Sequence, residues 1–222
     1  MKRILVLLAC LLAASNSSAF VLDFEGLGNL ASVNNFYNGG TDSQGNSGTN
    51  YGVRFGTNSL SVIDADAGGS GNIANEPSPS TVLFFLCGTA ILNYAPGFNT
   101  GFSFFYSSST AATINVYDDL NATGNLLTSL SLTAQFTGNN CAGDPTGQFC
   151  NWTAVGASFV GIAKSVDFGG TVNQTAYDDI TFGSATAGDR GTVPEPAILS
   201  LLGLGLAGLG FTRRRKALTS FR

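Results

Sequence analysis

The chain is predicted to be all-β, a single antiparallel β-sandwich of jelly-roll type with a signal peptide in front and one transmembrane helix behind. Three observations predict this. Its 222 residues are rich in Gly, Ser, Thr and Asn, poor in helix formers, and carry 17 Phe to fill a core. Short runs dense in Val, Ile, Leu, Phe and Tyr recur along the middle, separated by turn residues. Each end carries an apolar stretch beside a basic cluster.

At the front, Lys2 and Arg3 precede the apolar stretch 4–14, and Ser17-Ser18-Ala19 places small residues where a signal peptidase reads. Residues 1–19 are therefore expected to be removed by cleavage between Ala19 and Phe20. Cys10 lies inside the apolar stretch rather than after it, which argues against a lipidated thiol. The exported domain then runs over 20–183. Its predicted strands are 20–24, 52–55, 59–63, 81–86, 90–94, 101–106, 113–117, 125–133, 155–159, 163–168 and 175–182. Between the first two lies a polar, glycine-rich loop, 36–52, of a length that is often functional. Residues 184–192 are small and polar and read as a linker.

Charge excludes several function classes. Thirteen of the fourteen acids lie between residues 20 and 192 against three bases, Arg54, Lys164 and Arg190, so the exported body carries −10. A nucleic-acid partner needs the opposite balance. The chain has no histidine, which removes the Ser-His-Asp triad, the Cys-His dyad and every histidine-ligated zinc site. Carboxylate-only glycan chemistry would need two facing acids among Asp64, Asp66, Asp118 or Asp178. The D-x-D start at Asp64 and Asp66 lacks the acid an EF-hand needs at its twelfth position, occupied here by Asn75. The non-enzymatic reading is preferred.

With Cys10 removed, three cysteines remain. Cys141 and Cys150 flank a short Asn, Gly and Pro-containing loop and are expected to pair in an oxidising compartment. Cys87, after Leu83-Phe-Phe-Leu, is expected to be a buried, inert thiol. Tyr37, Tyr51, Tyr106 and Trp152 sit beside polar turns and are the aromatics placed to stack on sugar rings; packing inside the core is the competing expectation.

The tail is the most specific stretch. Val193-Pro194-Glu195-Pro196 is followed by the apolar run 197–211 and then by Arg213, Arg214, Arg215 and Lys216. The cations after an apolar segment hold that end in the cytoplasm and everything before it outside. Fifteen residues reach roughly 22 Å as a helix, and the four glycines within them suit a membrane helix better than a soluble one. Residues 193–216 resemble the PEP-CTERM sorting tail, with 217–222 as the cytoplasmic end. That resemblance implies reading by an exosortase-type membrane protease, transient anchoring in the inner membrane, and passage to the cell surface or extracellular matrix alongside exopolysaccharide and biofilm. No cofactor is expected with certainty. Asp23-Phe-Glu25 at the start and Tyr177-Asp-Asp179-Ile-Thr-Phe at the end are also similar to terminal strands of jelly-roll modules, some of them carbohydrate-binding. In those modules the end strands pair and their acids hold a structural calcium. Asp23, Glu25, Asp178 and Asp179 are thus candidate calcium ligands by resemblance, and solvated strand acids otherwise. A matrix protein without a defined ligand and a calcium-dependent carbohydrate-binding module are the two binding-class readings.

Overall fold

A computed structural model describes residues 19–135 and 141–191. The expected leader up to residue 18, and the tail from 192 onward with its sorting signature, apolar run and basic cluster, lie outside the described residues. Nine strands follow one another: β1 (Phe20–Leu22), β2 (Val53–Phe55), β3 (Leu60–Ile63), β4 (Thr81–Phe84), β5 (Ala90–Ser108), β6 (Ala112–Tyr117), β7 (Leu126–Leu132), β8 (Thr153–Phe168) and β9 (Thr175–Phe182). Every pairing between them is antiparallel. Among the described residues no helix is long and apolar enough to cross a membrane.

The sequence led to eleven strands, with 90–94 apart from 101–106 and 155–159 apart from 163–168. Each of these pairs is one continuous strand instead. β5 and β8 run on through bulges between Asn93 and Thr100, where Gly97 takes φ +79° and turns the chain as an L-residue rarely can. Each long strand therefore belongs to two layers. The first half of β5 pairs with β2 and with the end of β8, which in turn pairs with β6 and so connects to β7. The second half of β5 pairs with β9 and with the start of β8, and β9 adds β1 and β4, then β3. The result is one sheet folded at β5 and β8 into a sandwich.

Phe168 shows the two layers meeting. It belongs to the first layer, opposite Ala90 and Ile114, yet its ring lies 5.6 Å from Phe104 and 4.8 Å from Tyr177 in the second. Phe98, Phe102, Phe104, Phe168 and Phe182 are all fully buried, each contributing roughly 1.5–3 kcal/mol by leaving water. The expected pairing of the terminal strands is present, with Phe20, Val21 and Leu22 opposite Phe182, Thr181 and Ile180.

β9 contains a bulge that the alternation rule does not anticipate. Tyr177, Ile180 and Phe182 all point into the core, although strict alternation would turn Tyr177 away from the other two. The register slips between Ser103 and Phe105 of β5, and Asp179 absorbs the extra residue at φ +47°. Asp178 consequently faces the outer side of this layer, where segment 75–81 covers it. Residues 183–191 lie on the same outer side. Ser103 Oγ donates to the Ser184 carbonyl at 2.9 Å, and Gly188 N donates to Thr181 Oγ1 at 2.9 Å. Gly156 permits this approach, since a Cβ there would collide with the Ala185 carbonyl.

Cys141 and Cys150 form the expected disulfide, with Cα atoms 5.8 Å apart. Cys87 departs from expectation. β4 ends at Phe84 rather than continuing to Leu86, so the thiol lies in the following turn, exposed, with Asn58 Oδ1 3.3 Å away.

Candidate functional site

A polar groove of about 640 Å³ lies over β2. Its floor follows from strand alternation. Val53 and Phe55 are buried beneath β2, which turns Arg54 outward, opposite Asn93 of β5. One wall is the beginning of the long loop, with Asn38 and Thr41, and the two residues before it, Asn34 and Asn35; the other is the β6–β7 turn, with Leu120 and Asn121.

The loop holds its shape without strands. Buried Asp42 is its hub: Oδ1 accepts from the backbone N–H of Gln44 (2.8 Å) and Asn46 (2.9 Å), and Oδ2 accepts from Gly28 N (2.9 Å) and Asn46 Nδ2 (2.8 Å). Burial alone would raise this carboxyl, but the four donors outweigh it and hold it below the usual carboxylate range. Asp42→Ala leaves three backbone donors without their partner. It is expected to cost about 2–3 kcal/mol and to open the 36–52 loop to limited proteolysis, while an uncut loop would show that Asp42 is not the hub.

Across the groove, Asn93 Nδ2 donates to Asn121 Oδ1 (3.2 Å) and Asn121 N donates to Asn93 Oδ1 (2.6 Å), so that wall is fixed too. Asn34 and Asn121 both take positive φ, a conformation asparagine tolerates and that concentrates at functional sites. The side chains of Asn34 and Arg54 have no hydrogen-bond or ionic partner among the described residues, where the one ion pair is Arg190 with Asp23 at 3.6 Å. Chemically, the groove offers amides, hydroxyls, one guanidinium and the Asp42 carboxylate, whose oxygens already accept from four donors of the chain. Amides and hydroxyls are groups that can hydrogen-bond a polyhydroxylated ligand.

The acids singled out in the sequence go elsewhere. Glu25 Oε1 accepts from Ser80 N (3.0 Å) and Thr81 N (2.8 Å). Asp178, fully buried, accepts from Ser78 N (2.9 Å) and Asp179 N (2.7 Å) and contacts Ser78 Oγ at 2.7 Å. The two carboxyls together clasp segment 78–81 onto β9. Asp23 pairs with Arg190, and its carbonyl accepts from Ser78 Oγ at 2.9 Å. Asp179 Oδ1 is buried without a partner; burial raises its carboxyl while Arg190 pulls the other way. Among the described residues no group of three or more Asp, Glu, His or Cys is arranged to hold a metal ion. Of the acids considered for glycan cleavage, Asp118 closes the β6–β7 turn through Asn125 N (2.6 Å) and Nδ2 (2.8 Å), and Asp64 Oδ1 accepts from Asp66 N at 3.3 Å.

The aromatic candidates are packed. Tyr37 is buried and its hydroxyl accepts from Phe24 N at 2.7 Å; Tyr106 is buried against Thr133. Tyr51 stacks on Phe20 at 5.0 Å, and Trp152 donates Nε1–H to the Ala74 carbonyl at 2.9 Å beside a second apolar cluster. None of the four lines the groove. The groove residues themselves were missed in the sequence because β2, β5 and a distant turn supply them; the length of the 36–52 loop was the one signal.

Residues 192–216 match the PEP-CTERM protein-sorting motif, so the chain carries that motif at its end. No curated protein matches the sequence. Three solved structures overlap it in part. A glycoside hydrolase family 43 arabinoxylan arabinofuranohydrolase from Bacillus subtilis is 16% identical over 56% of this chain, with a TM-score of 0.37, and the overlap spans 24% of the hydrolase. The carbohydrate-binding module CBM6cm-2 of Cellvibrio mixtus lichenase 5A is 11% identical over 58% of this chain and 88% of its own, at 0.36. The K3 adhesin domain of Lys-gingipain from Porphyromonas gingivalis is 16% identical over 76% and 92%, at 0.34. Scores of this size fall short of a shared fold.

Proposed function

We propose that this protein is exported through its signal peptide, held in the inner membrane by its tail, and released to the cell surface or extracellular matrix after an exosortase-type protease reads residues 193–196. Signal peptidase cuts between Ala19 and Phe20. The body then serves a non-enzymatic role, binding saccharide of the surrounding exopolysaccharide through the groove over β2. The observation that carries the reading is the sorting motif at 192–216, attached to a folded body with a groove lined by five asparagines, two threonines and one arginine. A body of charge −10 suits an extracellular setting and disfavours nucleic acid. Calcium is a subordinate part of the reading, because the oxygens of Glu25 and Asp178 already serve the chain's own N–H donors.

Sorting is tested in the cell. Replacing Pro194, Glu195 and Pro196 together by alanine is expected to leave the chain at its unprocessed mass in the membrane fraction, where the native protein is shortened and released. Equal release of both would overturn the proposed route.

A further inference from the structure

The groove presents a cation in a body that is otherwise strongly acidic. Arg54 is one of three cations in a body with thirteen acids. The other two have acidic company: Arg190 pairs with Asp23, and Lys164 adds its attraction to the Asn125 hydrogen bonds that chiefly lower the carboxyl of Asp118. Arg54 is exposed on the groove floor and has no carboxylate partner among the described residues. Asp42 also lines the groove, but its oxygens are spent on four donors, three in its own loop and the fourth Gly28 N. An arginine left unpaired between two fixed walls is a fork for a planar anion, and guanidinium to carboxylate is the strong, bidentate form of that contact.

Resting on the saccharide-binding reading, we propose that the groove selects a saccharide bearing a single acidic unit, a uronate whose carboxylate meets Arg54 while Asn34 and the neighbouring amides and threonine hydroxyls take its ring hydroxyls. The volume of about 640 Å³ lies within the range of small-ligand sites, about 300–1,000 Å³. The −10 charge of the body adds the second half of the specificity. It repels a densely charged polyanion over a Debye length of about 8 Å, so one carboxylate can enter where a row of them is refused.

Cellobiouronate and cellobiose form the direct test, since they differ only in a carboxylate replacing a hydroxymethyl group. With the full-length protein in detergent, calorimetry is expected to give at least about tenfold tighter binding of cellobiouronate. Arg54→Gln is expected to abolish that difference, so that the variant binds cellobiouronate no tighter than it binds cellobiose. Polygalacturonate is expected to bind worse per uronate unit than cellobiouronate at low salt and to recover as salt is added. Equal binding of the two disaccharides would overturn the acidic preference while leaving the saccharide groove standing. No binding of either would overturn both. Binding of free glucuronate as tightly as the disaccharide would reduce the site to a plain carboxylate receptor, and a preference that survives Arg54→Gln would place the acid elsewhere; either result overturns the proposal.

Discussion

Phe168→Ala is expected to destabilise the protein by about 3–5 kcal/mol, the largest loss expected from any single truncation considered for this chain. The ring is fully buried and links the two layers through Phe102, Phe104 and Tyr177, at 6.1, 5.6 and 4.8 Å. Removing it opens a cavity between layers that are tied at the corner strands and therefore cannot close up freely. Val160, also on β8 but 94% exposed, is the control; its alanine variant is expected to stay within about 0.5 kcal/mol. Denaturant midpoints compare the two. A Phe168→Ala loss below about 1 kcal/mol would mean that the layers do not meet at this ring.

Stability is expected to fall as pH rises from about 5 to 8, and Asp178→Asn is expected to flatten that fall. Burial pushes the Asp178 carboxyl from 3.8 up to about 8, against the opposing pull of the Ser78 and Asp179 donors. Ser78 Oγ has one hydrogen and lies within reach of both the Asp23 carbonyl, at 2.9 Å, and the Asp178 carboxyl, at 2.7 Å; a proton on the carboxyl lets both contacts be made at once. The folded state thus keeps a proton that the unfolded chain gives up above its ordinary carboxylate range. The resulting stabilisation is complete below about pH 4, declines by up to about 1.4 kcal/mol per pH unit for this one proton, and is gone once pH has passed through about 8. Glu76, raised by burial to about 7, acts in the same direction, so the native slope has two sources. Asparagine at position 178 donates to Ser78 Oγ as the protonated acid does. Melting curves between pH 5 and 9 decide the matter, and a slope unchanged by Asp178→Asn would show that the carboxyl is ionised throughout.

How far these features were visible in the sequence depends on how local each one is. Runs such as 113–117 and 175–182 declared themselves through β-branched and aromatic residues between turns, and the structure has strands there. The sorting motif is a continuous signature and was readable in full. The corner strands were not, because a bulge at Pro96-Gly97 and a chain break use the same residues, and pairing on both sides distinguishes them only in three dimensions. Asp178 and Asp179 looked like acids alternating outward. The bulge instead buries the first beneath Ser78 and spends the second on a register shift, which no period-2 reading contains. The groove depends on Arg54, Asn93 and Asn121, residues that topology alone makes neighbours.

The central position of the last strand has a mechanical meaning. A pull on the tail first meets the contacts of 183–191, the Arg190–Asp23 pair and then the Gly188 and Ser184 hydrogen bonds, which can give way one after another like the teeth of a peeling seam. The load then reaches β9, which is bonded to β1 and β4 on one side and to β5 on the other. Sliding such a strand out lengthwise strains its ladders on both sides together instead of in succession. Tension from a membrane-held end would spend itself on the strap, and the sandwich behind it would stay shut.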